Sequence, residues 1–90
     1  MEITFDPVKR EVTLKERGLD FVDAKTLFEG VTLEFEDDRF DYGEVRMISV
    51  GMLLAAIVVV VWADEGDARR VISMRKATKG ETDEYFRAVG

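Results

Sequence analysis

The sequence predicts an α+β domain: helices packed on one face of a meandering antiparallel β-sheet, the other face free for contacts. Three observations carry this. Two capped helical segments stand together near the N-terminus, four strand-like segments follow one another, and a last capped helix closes the chain. The expected order is β-α-α-β-β-β-β-α. Ninety residues suffice for one core, so residues 1–90 are read as a single domain.

Glu2 to Phe5 alternates polar and apolar, with Ile3 and Phe5 on one face, as a short strand does. Asp6-Pro7 reads as an N-cap followed by proline at the first helical position, where its missing N–H is harmless. Val8 and Val12 share a face of that helix, and Gly18 stops it as a left-handed C-cap. Asp20 caps a second helix, with Asp23 approximating the capping-box partner. Ala24, Leu27 and Phe28 form its apolar stripe, and Gly30 closes it.

After Gly30 the period changes from helical to alternating. Val31, Leu33 and Phe35 face one way, and Thr32, Glu34 and Glu36 the other. Asp37 to Gly43 is the most polar stretch and reads as a loop, with Glu34, Glu36, Asp37 and Asp38 as a solvated strand end. Val45 to Met52 and Ile57 to Ala63 are the next strands, Glu65-Gly66-Asp67 a turn, and Arg70 to Lys76 the last strand. Thr78 caps the final helix, and Glu81 completes a capping box. Strict alternation along the last strand places Arg70, Ile72, Met74 and Lys76 on one face and Arg69, Val71, Ser73 and Arg75 on the other.

Composition narrows the chemistry. The absence of cysteine excludes disulfides, thiolate zinc sites and thiol catalysis, and the absence of histidine excludes imidazole general bases and the triads built on them. No cofactor is expected. The net charge of −6 is uneven, with six basic and thirteen acidic residues in 1–45 against seven and six in 46–90. Arg69 to Lys79 holds five cations and no acid, which argues for one local phosphate site rather than indiscriminate nucleic-acid binding. Met47 to Ala63 is free of charge for 17 residues, but Gly51 and the β-branched run Val58 to Val61 mark a buried strand, so no membrane span is expected. Glu2 and Asp6 interrupt any apolar signal segment, and the cytoplasm is the expected compartment.

If Arg46 and Arg75 share the open face, their guanidinium forks make a cradle suited to a phosphate. The competing reading pairs these arginines with the abundant carboxylates. Glu81 and Tyr85, four apart on the last helix, are an acceptor and a phenolic acid near the cradle, or else a capping carboxylate and a core aromatic. The tip at Leu54-Ala55-Ala56 lacks the Gly, Asn or Asp of tight hairpin turns. Met52, Leu53 and Leu54 are therefore read either as a contact for a partner protein or a second copy of the chain, or as a longer tip folded onto the core.

The pattern Phe5-Asp6-Pro7-x-Lys9, Gly18-Leu19-Asp20-Phe21, Glu44-x-Arg46 leading to Val50-Gly51, and Ile72-Ser73-Met74-Arg75-Lys76-Ala77-Thr78-x-x-Glu81-x-x-x-Tyr85 resembles the BrnT family over nearly the whole chain. BrnT proteins are toxins of bacterial type II toxin–antitoxin pairs. The resemblance implies a RelE-like ribonuclease fold whose open sheet face takes RNA, and RNA cleavage that stops translation. It also implies a BrnA-like antitoxin with a ribbon-helix-helix domain, through which alone DNA would be reached. Carried over by position, the family's polar motif residues are Arg46, Arg75, Lys76, Glu81 and Tyr85. Such cleavage uses the RNA 2′-hydroxyl as nucleophile, without a metal. One proton must be taken, one given, and the phosphate's added charge held. Arg46 and Arg75 suit the last role; Lys76, Glu81 and Tyr85 are the candidates for proton transfer. The chain departs from the family in Glu16-Arg17-Gly18 where Lys-His-Gly is usual, in its acidic balance, and in its apolar hairpin tip. The alternative function is a degenerate toxin that binds an antitoxin and cleaves nothing.

Overall fold

A computed structural model describes all 90 residues. The elements are β1 (Glu2–Phe5), α1 (Pro7–Arg17), a 3₁₀ turn (Phe21–Asp23), α2 (Ala24–Glu29), β2 (Thr32–Glu36), β3 (Met47–Leu53), β4 (Ala56–Glu65), β5 (Ala68–Lys76) and α3 (Lys79–Val89). The strands form one sheet in the order β1-β5-β4-β3-β2. From β2 to β5 it is an antiparallel meander, but β1 lies parallel to β5, so the sheet is mixed rather than wholly antiparallel. No helix is long and apolar enough to cross a membrane.

Local chemistry explains the helix ends. The Asp6 carboxylate accepts from Val8 N–H, and Gly18 takes the left-handed conformation at φ 68°. Asp20 likewise accepts from Val22 N–H, but what it caps is the 3₁₀ turn, and Asp23 makes no side-chain cap. The Thr78–Glu81 capping box is complete. Helix α1 buries none of its side chains; it lies beside β5, where Arg17 donates to the Met74 carbonyl at 2.8 Å.

The helices do not share one face of the sheet. The 3₁₀ turn and α2 cover what we call the core face, where Phe21, Ala24, Leu27 and Phe28 pack on Val58, Val60, Trp62, Val71 and Met74. Gly51 lets α2 approach closely, since a Cβ there would stand 3.1 Å from the Leu27 side chain. On the opposite face α3 covers one end only: Tyr85 packs with Val50, Ile57 and Val59. The remainder of this open face is left to polar side chains.

Alternation along β5 fails at one point. Val61 pairs with Ser73 but Trp62 pairs with Val71, so Ile72 is an extra residue in a β-bulge. Beyond it the faces exchange. Val71 joins Met74 in the core, Arg69 turns with it, and Arg70 comes to the side of Arg75. The grouping of Arg69 with Arg75 that strict alternation predicts is therefore wrong.

The hairpin tip is also tighter than expected. Leu53 pairs with Ala56, and Leu54 adopts φ 56°, a conformation that strains an L-residue. Leu53 is buried in the core, so it is no contact surface; Met52 is half exposed and Leu54 is 91% exposed.

Candidate functional site

The open face gathers four guanidiniums: Arg39 and Arg46 from the loop between β2 and β3, and Arg70 and Arg75 from β5. Each is held by a carboxylate. Arg75 donates from Nη1 and Nη2 to the two oxygens of Glu81 at 2.7 and 2.8 Å. The same carboxylate accepts from Thr78 N–H at 2.8 Å, so the helix cap and the ion pair share one side chain. Arg75 and then the Thr78 amide pull the Glu81 carboxyl down to about 2, and the pair raises Arg75. Glu81 is thus an anion that orients Arg75, with little basicity left to take a proton.

At the other end of this face Glu44 joins two arginines, accepting from Arg70 at 2.6 Å and from Arg46 at 3.3 Å, and its carboxyl is lowered by Arg70 first. Arg70 also reaches Glu65 at 3.3 Å. The Arg46 guanidinium lies over the Tyr42 ring, 4.1 Å from its centre, a stacked geometry that Lys would not reproduce.

Asp37 organises the loop. Its side chain is buried, and it accepts from Arg39 Nε at 2.7 Å, Arg39 Nη2 at 2.9 Å and the Tyr42 hydroxyl at 3.2 Å. Arg39 is the main reason its carboxyl falls to about 2. Its backbone N–H donates to the Arg46 carbonyl at 2.8 Å, which closes the loop. The buried carboxylate therefore holds Arg39 and Tyr42, and the same residue's amide anchors the Arg46 backbone. The expectation of a solvated acid at Asp37 is overturned, because two guanidinium donors and a phenol replace the water it would lose. Acids, aromatics and arginines alternating through 37–46 are the trace this leaves in the sequence.

Of the five residues read from sequence, Arg75 and Glu81 are in contact. Arg46, beside the strand β3, is held by a different carboxylate, Glu44, from the one that holds Arg75. The Tyr85 ring is buried, and its hydroxyl donates to the Val31 carbonyl at 2.6 Å. Lys76 pairs across from Val58, on the core side of the sheet, and is exposed beyond the helices. The structure thus separates Lys76 from Arg75 by the thickness of the sheet. Arg39 and Tyr42 belong to the candidate site and were not singled out from the sequence, whereas Arg70 was read there only as part of the basic strip Arg69 to Lys79.

A family profile described as the ribonuclease toxin BrnT of type II toxin–antitoxin systems matches residues 5–81. No curated protein matches the chain.

Proposed function

The chain belongs to the BrnT family of ribonuclease toxins of type II toxin–antitoxin systems, and from that premise we propose that its open sheet face binds single-stranded RNA and cleaves it. The observation that carries this reading is the set of four oriented guanidiniums on one uncovered face. In-line attack of the 2′-oxygen on the adjacent phosphorus forms the O2′–P bond as the P–O5′ bond breaks. Water takes the 2′-hydroxyl proton and gives one to the departing 5′-oxygen. The negative charge that builds on the phosphoryl oxygens is answered by fixed cations without reorganising. Arg75 takes this role, with Glu81 as its positioning residue. Arg46 and Arg70 hold neighbouring phosphates. Lys76 and Tyr85 are assigned no proton transfer, the first because of its face and the second because its hydroxyl is engaged. Rate enhancement then rests on charge stabilisation, without a metal or cofactor.

The layout is read as RelE-like, with RNA on the side where α3 leaves the sheet bare. The family's type II character implies a protein antitoxin; a BrnA-like ribbon-helix-helix protein is the proposed partner, and DNA is reached only through it. Cytoplasmic RNA cleavage would stop translation. Self-association, if it uses the hairpin tip, has Met52 and Leu54 to work with.

A second reading has an observation in its favour: all four guanidiniums are already paired with carboxylates. That suits a degenerate toxin serving only as an antitoxin-binding module. The deciding experiment incubates the purified chain with labelled single-stranded RNA in EDTA and analyses the product ends. The catalytic reading expects cleavage leaving 2′,3′-cyclic phosphates. Intact RNA together with tight antitoxin binding would establish the second reading instead.

A further inference from the structure

Beside α3 the open face contains a hollow of about 240 Å³ whose floor is sheet. Phe35, Ile48 and Val50 form much of that floor, and Arg39, Arg75 and Glu84 stand on the rim. Its volume lies below the roughly 300–1,000 Å³ of sites for drug-sized ligands, which suits a single flat ring system. Phe35 is 51% exposed, an aromatic face presented to solvent on a strand. The rim guanidiniums keep unused donors. Arg39 engages Asp37 through Nε and Nη2, leaving Nη1, and Arg75 engages Glu81 and the Lys76 carbonyl through Nη1 and Nη2, leaving Nε. The Arg39 charge opposes that of Arg75, so an anion between them relieves the repulsion. Glu84 takes part in none of the ion pairs of the molecule.

We infer that this hollow is a nucleobase subsite: one unpaired base stacks on Phe35, its phosphate lies between Arg39 and Arg75, and Glu84 selects guanine. Unpaired bases are read by stacking on aromatic rings and by hydrogen bonds to their edges. Guanine offers N1–H and N2–H side by side, the pair of donors that one carboxylate accepts together. The consequence is cleavage next to guanines rather than at random. The inference rests on the RNA-binding reading of this face, but its test needs no cleavage.

The four ribonucleoside 5′-monophosphates are titrated separately into the chain while the methyl resonances of Ile48 and Val50 are followed, with ribose 5-phosphate as control. GMP is expected to shift these methyls saturably and to bind tightest. Phe35→Ala should weaken GMP roughly 5- to 150-fold, Phe35→Tyr should restore it, and Glu84→Gln should level the preference among bases. Because Phe35 is half exposed on the edge strand, its variants keep the fold, and the dispersion of the other methyls checks this. Unmoved methyls with all four nucleotides, equal binding of ribose 5-phosphate, undiminished GMP binding by Phe35→Ala, or an undiminished guanine preference in Glu84→Gln would overturn the inference. A chain that binds GMP here but cuts no RNA keeps the subsite and loses the catalytic reading; one that cuts RNA with none of these shifts does the reverse.

Discussion

The two faces of the sheet solve different problems with the same strands. On the core face eleven buried side chains form one cluster shared by the sheet, the 3₁₀ turn and α2; on the open face four do, Tyr85 of α3 among them. The polar groups divide in the same way. The core face has one inward polar chain, in which Trp62 Nε1 donates to Ser49 Oγ at 2.8 Å and Ser49 to Glu34 at 2.6 Å, with Arg69 stacked on Trp62 and bonded to Glu34. Its Trp62–Ser49 end is buried, and it runs out to a partly exposed Glu34–Arg69 pair whose guanidinium is covered by the Trp62 and Phe28 rings. The open face arranges Arg39, Arg46, Arg70 and Arg75 against carboxylates at partly exposed positions, where guanidinium donors remain for a phosphate. Burial on one side thus supplies most of the stability, and incomplete burial on the other leaves charge available.

The largest expected effect breaks this contrast from the core side. Phe21 is 1% exposed and packs edge-on against Phe5. Phe21→Ala should cost about 3–5 kcal/mol in urea unfolding while leaving RNA cleavage per folded molecule unchanged. Arg75→Ala should do the opposite. Loss of the charge-stabilising guanidinium costs about 2–4 kcal/mol in the transition state, roughly 30- to 1,000-fold in rate. Its stability change should stay below about 1 kcal/mol, because the pair it breaks is partly exposed. An Arg75→Ala chain that unfolds easily yet cleaves normally would exchange the roles of the two faces.

Acid sharpens the comparison further. Asp37 and Glu81 titrate at about 2 in the folded protein, against ordinary values of 3.8 and 4.5. The unfolded chain therefore binds more protons in this range, and both groups stabilise the fold above about pH 4.5. That contribution is lost as pH falls towards 2. Thermal melts at stepped pH should show the decline, and Asp37→Asn should flatten it; an unchanged slope would mean that the loop is not held by this carboxylate. The smallest effect belongs to the hairpin tip. Leu54→Asn relieves the left-handed strain and should raise stability by about 0.5–1 kcal/mol, measurable as a higher melting temperature. If an antitoxin covers the tip, its affinity should fall in the same variant.

Most of the element order was legible because its signals are local. The Asp6 cap, Gly18, the Thr78–Glu81 box and the alternation of 31–36 each depend on residues within a turn of one another. The Arg75–Glu81 contact was nearly legible for the same reason, since a short link joins β5 to α3. The side to which α3 returns was not legible, because Tyr85 fits either face by composition and only its fit against Val50, Ile57 and Val59 decides.

By itself, then, the sequence determined an α+β chain with one meander, its principal caps, the absence of thiol and imidazole chemistry, and its resemblance to a toxin family. Only the tertiary structure decided which arginines share a face. The Ile72 bulge exchanges the faces of β5, which brings Arg70 towards Arg75 and removes Arg69. A bulge depends on how Trp62 and Val71 meet across two strands, and no periodicity within one strand records it. Burial of Asp37 likewise depends on Arg39, Tyr42 and the Arg46 carbonyl closing round it. An anion's environment is set by what surrounds it in space, and only folding brings those groups together.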